Sequence, residues 1–191
     1  MRDQLSLLGA APPLPEGFKY QPSLLSPAEE ETLLARVRAL PFKNFEFHGY
    51  VGKRRVVSYG WKYDFNDRSL RNAEEIPSFL ELVRERAAEF AGMSPSQLQQ
   101  VLVTEYEAGA AIGWHRDKAV FAEVIGISLL SACTFRLRRK AGTTWERASI
   151  TAEPRSAYLL SGPSRTEWEH SIPAVEELRY SITFRSMRVD P

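Results

Sequence analysis

The chain has 191 residues, 43% of them apolar and 26% charged, with a formal net charge of +1. That length suits one domain with a sizeable core rather than two, and a near-neutral balance excludes any global attraction to nucleic acid. Cys133 is the only cysteine, which excludes a disulfide framework and a Cys-rich zinc site, and no apolar run is long enough for a membrane helix.

Residues 1–17 are rich in Pro, Gly and Ala and lack the charged and long apolar regions of a secretory signal. They are expected to form a flexible extension ahead of a single domain over 18–191, and a lone cysteine fits a reducing cytoplasm. "LLSPAEEETLLARVRALPF" reads as a helix. Ser26 is its N-cap, Pro27 its first residue and Glu29 the partner in a capping box, with Leu33, Leu34, Val37 and Leu40 as the apolar stripe. A second helix is expected from about Pro77 to Ala91, with Phe79, Leu82, Val83 and Phe90 inward and Gly92 as its stop.

Between the helices, "NFEFHGYVGKRRVVSYGWKYDFN" alternates and carries glycines at turn positions, so it reads as strands and a loop. After Gly92 only strands and turns are expected, near 101–107, 112–116, 125–130, 133–139, 147–151, 156–161, 166–172 and 178–187. Short strands following helices predict an α+β domain built on a sandwich or jelly roll. Two basic clusters stand out, Lys53-Arg54-Arg55 and Arg136 with Arg138-Arg139-Lys140; such clusters are as often solvated surface as phosphate contacts.

"GWHRDKAVFA" contains His115-Arg116-Asp117, a tripeptide shared by two unrelated chemistries. A protein-kinase catalytic loop needs Asn five residues after the Asp, where this chain has Ala122, and it needs a downstream Asp-Phe-Gly that is absent. The other chemistry is non-haem iron, bound by two His and a carboxylate on one octahedral face. On a strand, residues two apart share a side, so His115 and Asp117 can converge on one ion. The third ligand must be a distant His. His170, in "TEWEHSIP", is the stronger candidate and His48, in the early loop, the weaker. The C-terminal "RYSITFR" places Arg179, Ser181, Thr183 and Arg185 on one face and Tyr180, Ile182 and Phe184 on the other. Two arginines roughly 20 Å apart at ~3.3 Å per residue fit either a solvated edge strand or a site for a small dicarboxylate.

Together, "LVTEYEAGAAIGWHRDK", "ISLLSACTFRLRR", "EWEHSIP" and "RYSITFR" resemble the AlkB family of Fe(II)/2-oxoglutarate-dependent dioxygenases, in the family's order and over roughly residues 100–187. The resemblance implies a double-stranded β-helix, a jelly roll with N-terminal helices buttressing one sheet and a nucleotide-recognition lid. It implies His115, Asp117 and His170 as ligands of Fe(II), with 2-oxoglutarate and O2 as cosubstrates. Arg179 would pair with the distal carboxylate of 2-oxoglutarate, Tyr106 would hydrogen-bond to it, and Arg185 would sit at the metal end. Thr104 and Ser181 stand where the family often has Asn, and both keep a hydroxyl for the cosubstrate. Ala119 stands where the DNA-repair members carry an acid that helps read the alkylated base.

"SYGWKYDF" falls where the family's lid lies. Tyr59, Trp61 and Tyr63 would stack on a flipped base, or else pack on the core, while Lys53, Arg54 and Arg55 would hold phosphates. Trp114 either lines the substrate pocket or packs on the sheet. The implied activity is oxidative dealkylation of alkylated bases in DNA or RNA by a monomer, releasing succinate, CO2 and an aldehyde. An oxygenase of the same fold acting on a protein side chain or small molecule is the alternative, ahead of a non-catalytic nucleic-acid-binding domain.

Overall fold

The computed structural model describes residues 13–47, 50–63 and 70–188. The first twelve residues of the expected extension lie outside them, but 15–17 are held in place, contrary to expectation. The Ser161 N–H and hydroxyl both donate to the Gly17 carbonyl, and the Ser164 N–H donates to the Glu16 carbonyl. Gly17 has φ +81°, and a Cβ there would fall 2.0 Å from the Ser161 carbonyl oxygen, so only glycine permits this approach.

Strands β1 (Phe18–Gln21), β2 (Lys43–Phe47), β3 (Tyr50–Tyr59), β6 (Leu98–Tyr106), β8 (Phe121–Leu129), β11 (Ala157–Leu160) and β13 (Arg179–Met187) form a seven-stranded sheet in the order β1-β11-β8-β13-β6-β3-β2. Strands β7 (Ile112–His115), β9 (Cys133–Ala141), β10 (Thr144–Ala152) and β12 (Glu169–Ile172) form a second sheet, β10-β9-β12-β7, and β4 (Trp61–Tyr63) and β5 (Leu70–Asn72) a separate two-stranded ribbon. The two large sheets enclose a core of Phe18, Tyr106, Val124, Tyr158 and Leu160 on one side and Cys133, Phe135, Leu137 and Ile172 on the other. This is the jelly roll.

The other face of the seven-stranded sheet carries Val101, Val103, Ile125, Ile127, Ile182 and Phe184, and the helices cover it. α1 (Pro27–Val37) has the predicted capping box: the Glu29 N–H donates to Ser26 Oγ, and its carboxylate accepts from the Ser26 N–H. Leu40 lies beyond the helix end but still packs on this core. α2 (Glu81–Ala91) is preceded by a 3-10 turn, Ser78–Leu80, and ends at Gly92. That turn has three residues per revolution and shifts the phase, so Leu80 is fully buried and Leu82, expected inward, is 52% exposed. A short helix, α3 (Gly162–Thr166), occupies a region expected to be all strand and turn. Ser161 and Ser164 cap it reciprocally, and Pro163 fills the first turn. β13 lies between β8 and β6, so its arginine face is not a solvated edge.

Candidate active site

β12 pairs with β7 so that His170 lies opposite His115, and both project inward beside Leu137. Their rings are 4.3 Å apart. Asp117 follows β7, and its Oδ2 stands 3.5 Å from His170 Nε2. One donor atom from each of His115, Asp117 and His170 lies within 4.8 Å of the others, the grouping a metal ion needs. His115 Nδ1 is 2.9 Å from the Gly113 carbonyl, which can only accept. Nδ1 therefore carries the proton and Nε2 keeps its lone pair for a metal. His48 lies outside the described residues.

Two arginines shape the carboxylate ligand. Arg185 donates to Asp117 Oδ1 from Nε at 2.9 Å and Nη2 at 2.8 Å, while its Nη1 donates to Gln100 Oε1 at 2.8 Å. Arg165, buried on α3, donates to the Lys118 and Phe121 carbonyls, and Arg116 donates to the Thr166 carbonyl. These bonds tie the loop after Asp117 to α3. Burial alone would raise the Asp117 pKa. Arg185 first, then His170, His115 and Arg165, more than reverse this and hold the carboxyl well below its usual range. Burial pushes His170 down to about 3 against the pull of Asp117. The site thus presents a neutral His170 imidazole and an ionised carboxylate beside the His115 ring, a donor set suited to Fe(II) with open positions.

The other end of this arginine face of β13 is built around Arg179, which is 1% exposed. Its Nε and Nη2 donate to Ser128 Oγ at 3.2 and 3.0 Å, its guanidinium lies 4.8 Å from the Tyr106 ring centroid, and its Nη1 has no hydrogen-bond partner. No carboxylate among the described residues pairs with it. A buried cation with an unsatisfied fork calls for an anionic ligand, and a carboxylate of 2-oxoglutarate fits that need. Tyr106 Oη sits 3.2 Å from Ser181 Oγ, and Thr104 is buried opposite Ser181 in the ladder. Ser128 and Tyr158 at this end, and Gln100 and Arg165 at the Asp117 end, also belong to the site, and the sequence motifs did not mark them. The alternation of β6 and β8 could have flagged Gln100 and Ser128, but nothing local marks Arg165.

The expected substrate contacts are less united. Tyr59 is not a base-stacking residue: it is 4% exposed and packs in the helix-side core. The chain turns at Gly60 (φ +75°), where a Cβ would meet the Gln99 carbonyl at 2.1 Å, so Tyr59 and Trp61 do not share a strand face. Trp61 is half-buried on the ribbon, and the side chain of Tyr63 lies outside the described residues. Arg55 is not free for a phosphate, because it pairs with Glu105 at 2.6 Å. Arg54 points to the opposite face, level with Tyr106, with its guanidinium 3.8 Å from the Phe45 ring centroid. Lys53 is exposed. Trp114 backs onto the outer face of the four-stranded sheet against Arg136 and Arg138, at 5.0 and 4.4 Å, so it does not line the pocket. Ala119 is exposed on the loop after Asp117.

A jelly roll with this donor set defines an iron-dependent oxygenase. The sequence profile of the 2OG-Fe(II) oxygenase superfamily matches residues 17–188, and the chain belongs to that family. It is AlkB-like. It is 30% identical over 198 residues to the "Alkylated DNA repair protein ALKBH8 homolog" of Arabidopsis thaliana, covering 90% of this chain and 56% of that protein. It is 30% identical over 175 residues to the "Alpha-ketoglutarate-dependent dioxygenase alkB homolog 7, mitochondrial" of Bos taurus, covering 86% of this chain and 71% of the relative. The fold matches the solved structure of OsALKBH1 with a TM-score of 0.71 at 16% identity, over 93% of this chain and 100% of that one. The chain is therefore a 2-oxoglutarate-dependent dioxygenase, an enzyme of Fe(II), 2-oxoglutarate and O2. It spans just over half the length of the ALKBH8 homologue. No helix among the described residues is long and apolar enough to cross a membrane.

Proposed function

We propose that this chain, through one domain over residues 18–191, oxidatively dealkylates alkylated nucleobases in DNA or RNA. The observation that carries the reaction type is the His115/Asp117/His170 cluster, gripped by Arg185, together with a buried Arg179 that lacks a partner at Nη1 on the same face of β13. His115, His170 and Asp117 would hold the iron, and Arg185 keeps Asp117 ionised and aimed. Arg179 takes the distal carboxylate of 2-oxoglutarate, with Tyr106, Ser181 and Thr104 supplying hydroxyls around it. Bound Fe(II), with 2-oxoglutarate and O2, would supply the oxidising chemistry for hydroxylating the carbon attached to the base nitrogen, with succinate and CO2 as the coproducts. The resulting N-hydroxyalkyl group breaks its C–N bond, leaving an aldehyde and the restored base.

A nucleic-acid substrate is supported by the relative whose name includes alkylated DNA repair. It is supported also by the β4–β5 ribbon, which carries the half-buried Trp61, and by Lys53 and Arg54 at the far end of β3. The outer face of the four-stranded sheet adds Arg136, Lys140 and Arg147, none paired with a carboxylate among the described residues, around Trp114 and the 37%-exposed Trp145. Ala119 favours a second reading, in which the same chemistry acts on a protein side chain or small molecule. A turnover panel separates them. With Fe(II) and 2-oxoglutarate, loss of a methylated or etheno-bridged base from single-stranded DNA, duplex DNA or RNA supports the first reading. Succinate formation with no lesion loss on any of these substrates moves the assignment to the second.

A further inference from the structure

His115, Asp117 and His170 are held in place to different degrees. Asp117 is gripped by Arg185 from the seven-stranded sheet. His170 lies on β12, which has β9 on one side and β7 on the other. His115 lies on β7, a four-residue edge strand that pairs with β12 alone among the described residues. The pairing consists of His170 with His115 and Ile172 with Ile112, with a register shift between them. The Gly113 carbonyl orients the His115 ring through Nδ1, but it belongs to the same strand and moves wherever β7 moves. Two register pairs are a thin anchor for a ring that lies 4.3 Å from its partner.

The outer face of the same sheet supplies a second anchor. Side chains alternate along a strand, so Trp114 and Glu169, each one residue before a histidine, point outward while His115 and His170 point inward. β12 lies between β7 and β9, yet Trp114 reaches across it to two arginines of β9. Its ring centroid is 4.4 Å from the Arg138 guanidinium and 5.0 Å from that of Arg136. Ser171 lies between them on β12. It pairs with Arg136 in the ladder, accepts from Arg136 Nε at 3.0 Å, and is 0% exposed although it faces outward. Arg138 in turn pairs with Glu169 in the same ladder, donates to its carboxylate at 2.7 Å, and has the Trp145 ring of β10 at 4.3 Å. One guanidinium therefore touches the residue before each histidine, and β10 supports it from the far side.

We propose that Trp114 and Arg138 are positioning residues for the metal centre. They form a brace behind the sheet that fixes β7 against β12 and so sets the spacing of His115 and His170. The residue types suit that task. The Arg138 and Glu169 side chains are 26% and 29% exposed, and an ion pair so open to water adds little to stability. Its contribution is geometric. A planar guanidinium can lie against an indole face and still donate within its plane to a carboxylate, so Arg138 fastens β7 and β12 at once. The inference rests on the reading of His115 and His170 as metal ligands.

The test is anaerobic titration of the metal-free protein with Fe(II) and, separately, with Co(II), whose visible absorption reports the geometry of its ligands. Trp114→Ala should weaken both metals roughly tenfold and shift the Co(II) bands, as expected when support behind a ligand is lost. Trp114→Phe keeps a ring face for Arg138 and should restore most of the affinity. Arg138→Met should reproduce the loss, and the double variant should lose no more than about threefold beyond either single, because the two residues act as one unit. Arg138→Met leaves the apolar packing in place and decides the matter if Trp114→Ala does not fold. Fe(II) affinity within about twofold of the parent in Arg138→Met overturns the proposal. Weakened binding with unchanged Co(II) bands overturns it too, since the stack would then be a general stabiliser of the sheet. His115→Ala run in parallel isolates the underlying assignment. If it binds Fe(II) as the parent does, His115 is not a ligand, whatever Trp114 does.

Discussion

Arg179 and Arg185 lie on the same face of the same strand, six residues apart, yet they are solved as opposite electrostatic problems. Arg185 is paired within the protein: Asp117 takes two of its N–H groups and Gln100 a third. Arg179 is more deeply buried and is offered one serine hydroxyl and an aromatic face. The Asp117 end is therefore balanced before anything binds, whereas the Arg179 end carries an uncompensated charge. Affinity for an anion at the second end would come from relieving a cost already present in the free protein.

The largest break in this comparison removes the centre it serves. Asp117→Ala or His115→Ala should abolish succinate formation and iron binding together, a loss of at least about 100-fold, measured by product assay and metal analysis. Exchanging the two arginines for methionine should then separate them. In metal- and cosubstrate-free protein, Arg185→Met leaves Asp117 buried without its main partner and should cost about 3–5 kcal/mol in urea unfolding. Arg179→Met removes an unpaired buried cation and should be neutral or stabilising by about 1 kcal/mol or more, while 2-oxoglutarate affinity collapses. If both variants were equally destabilised, the contrast would be wrong.

The metal end should also be acid-sensitive when metal-free. His170 titrates near 6.5 in an unfolded chain and near 3 in the fold. Between those values the unfolded chain holds the extra proton, so stability rises with pH across the window and is lost as pH falls through it. Asp117 adds to the loss lower down, because its folded-state pKa lies below its ordinary 3.8. Urea midpoints at pH 7.5 and pH 5 should differ in the parent and differ less in His170→Asn. The smallest effect is expected away from this pocket: Tyr59→Phe should leave turnover within about twofold of the parent, since Tyr59 packs on the helix side and only its hydroxyl is removed.

Much of this was legible because strand periodicity and capping chemistry are local. The Ser26–Glu29 box, the Gly92 stop, the two-faced β13 and the shared side of His115 and Asp117 depend on neighbours within a few residues. The errors came where local rules met a change of phase or a turn. A 3-10 turn rotated Leu82 out of the core. The left-handed backbone at Gly60 separated Tyr59 from Trp61, so an alternating aromatic run became a core residue and a ribbon residue. Trp114 was ambiguous because its neighbours on the sheet exterior, Arg136 and Arg138, are remote in sequence.

The sequence by itself carried the reaction chemistry through a resemblance: His115, Asp117, His170, Arg179 and Arg185 stand in the order of the AlkB family's motifs, whereas their spacing alone left a solvated edge strand open. Only the tertiary structure decided how charge is shared within that centre. Which arginine is neutralised by Asp117 and which is left without a carboxylate partner depend on registers across β6, β13 and β8. Hydrogen bonds and ion pairs act over a few ångströms of space, and the chain brings residues such as Asp117 and Arg185 within that range only by folding.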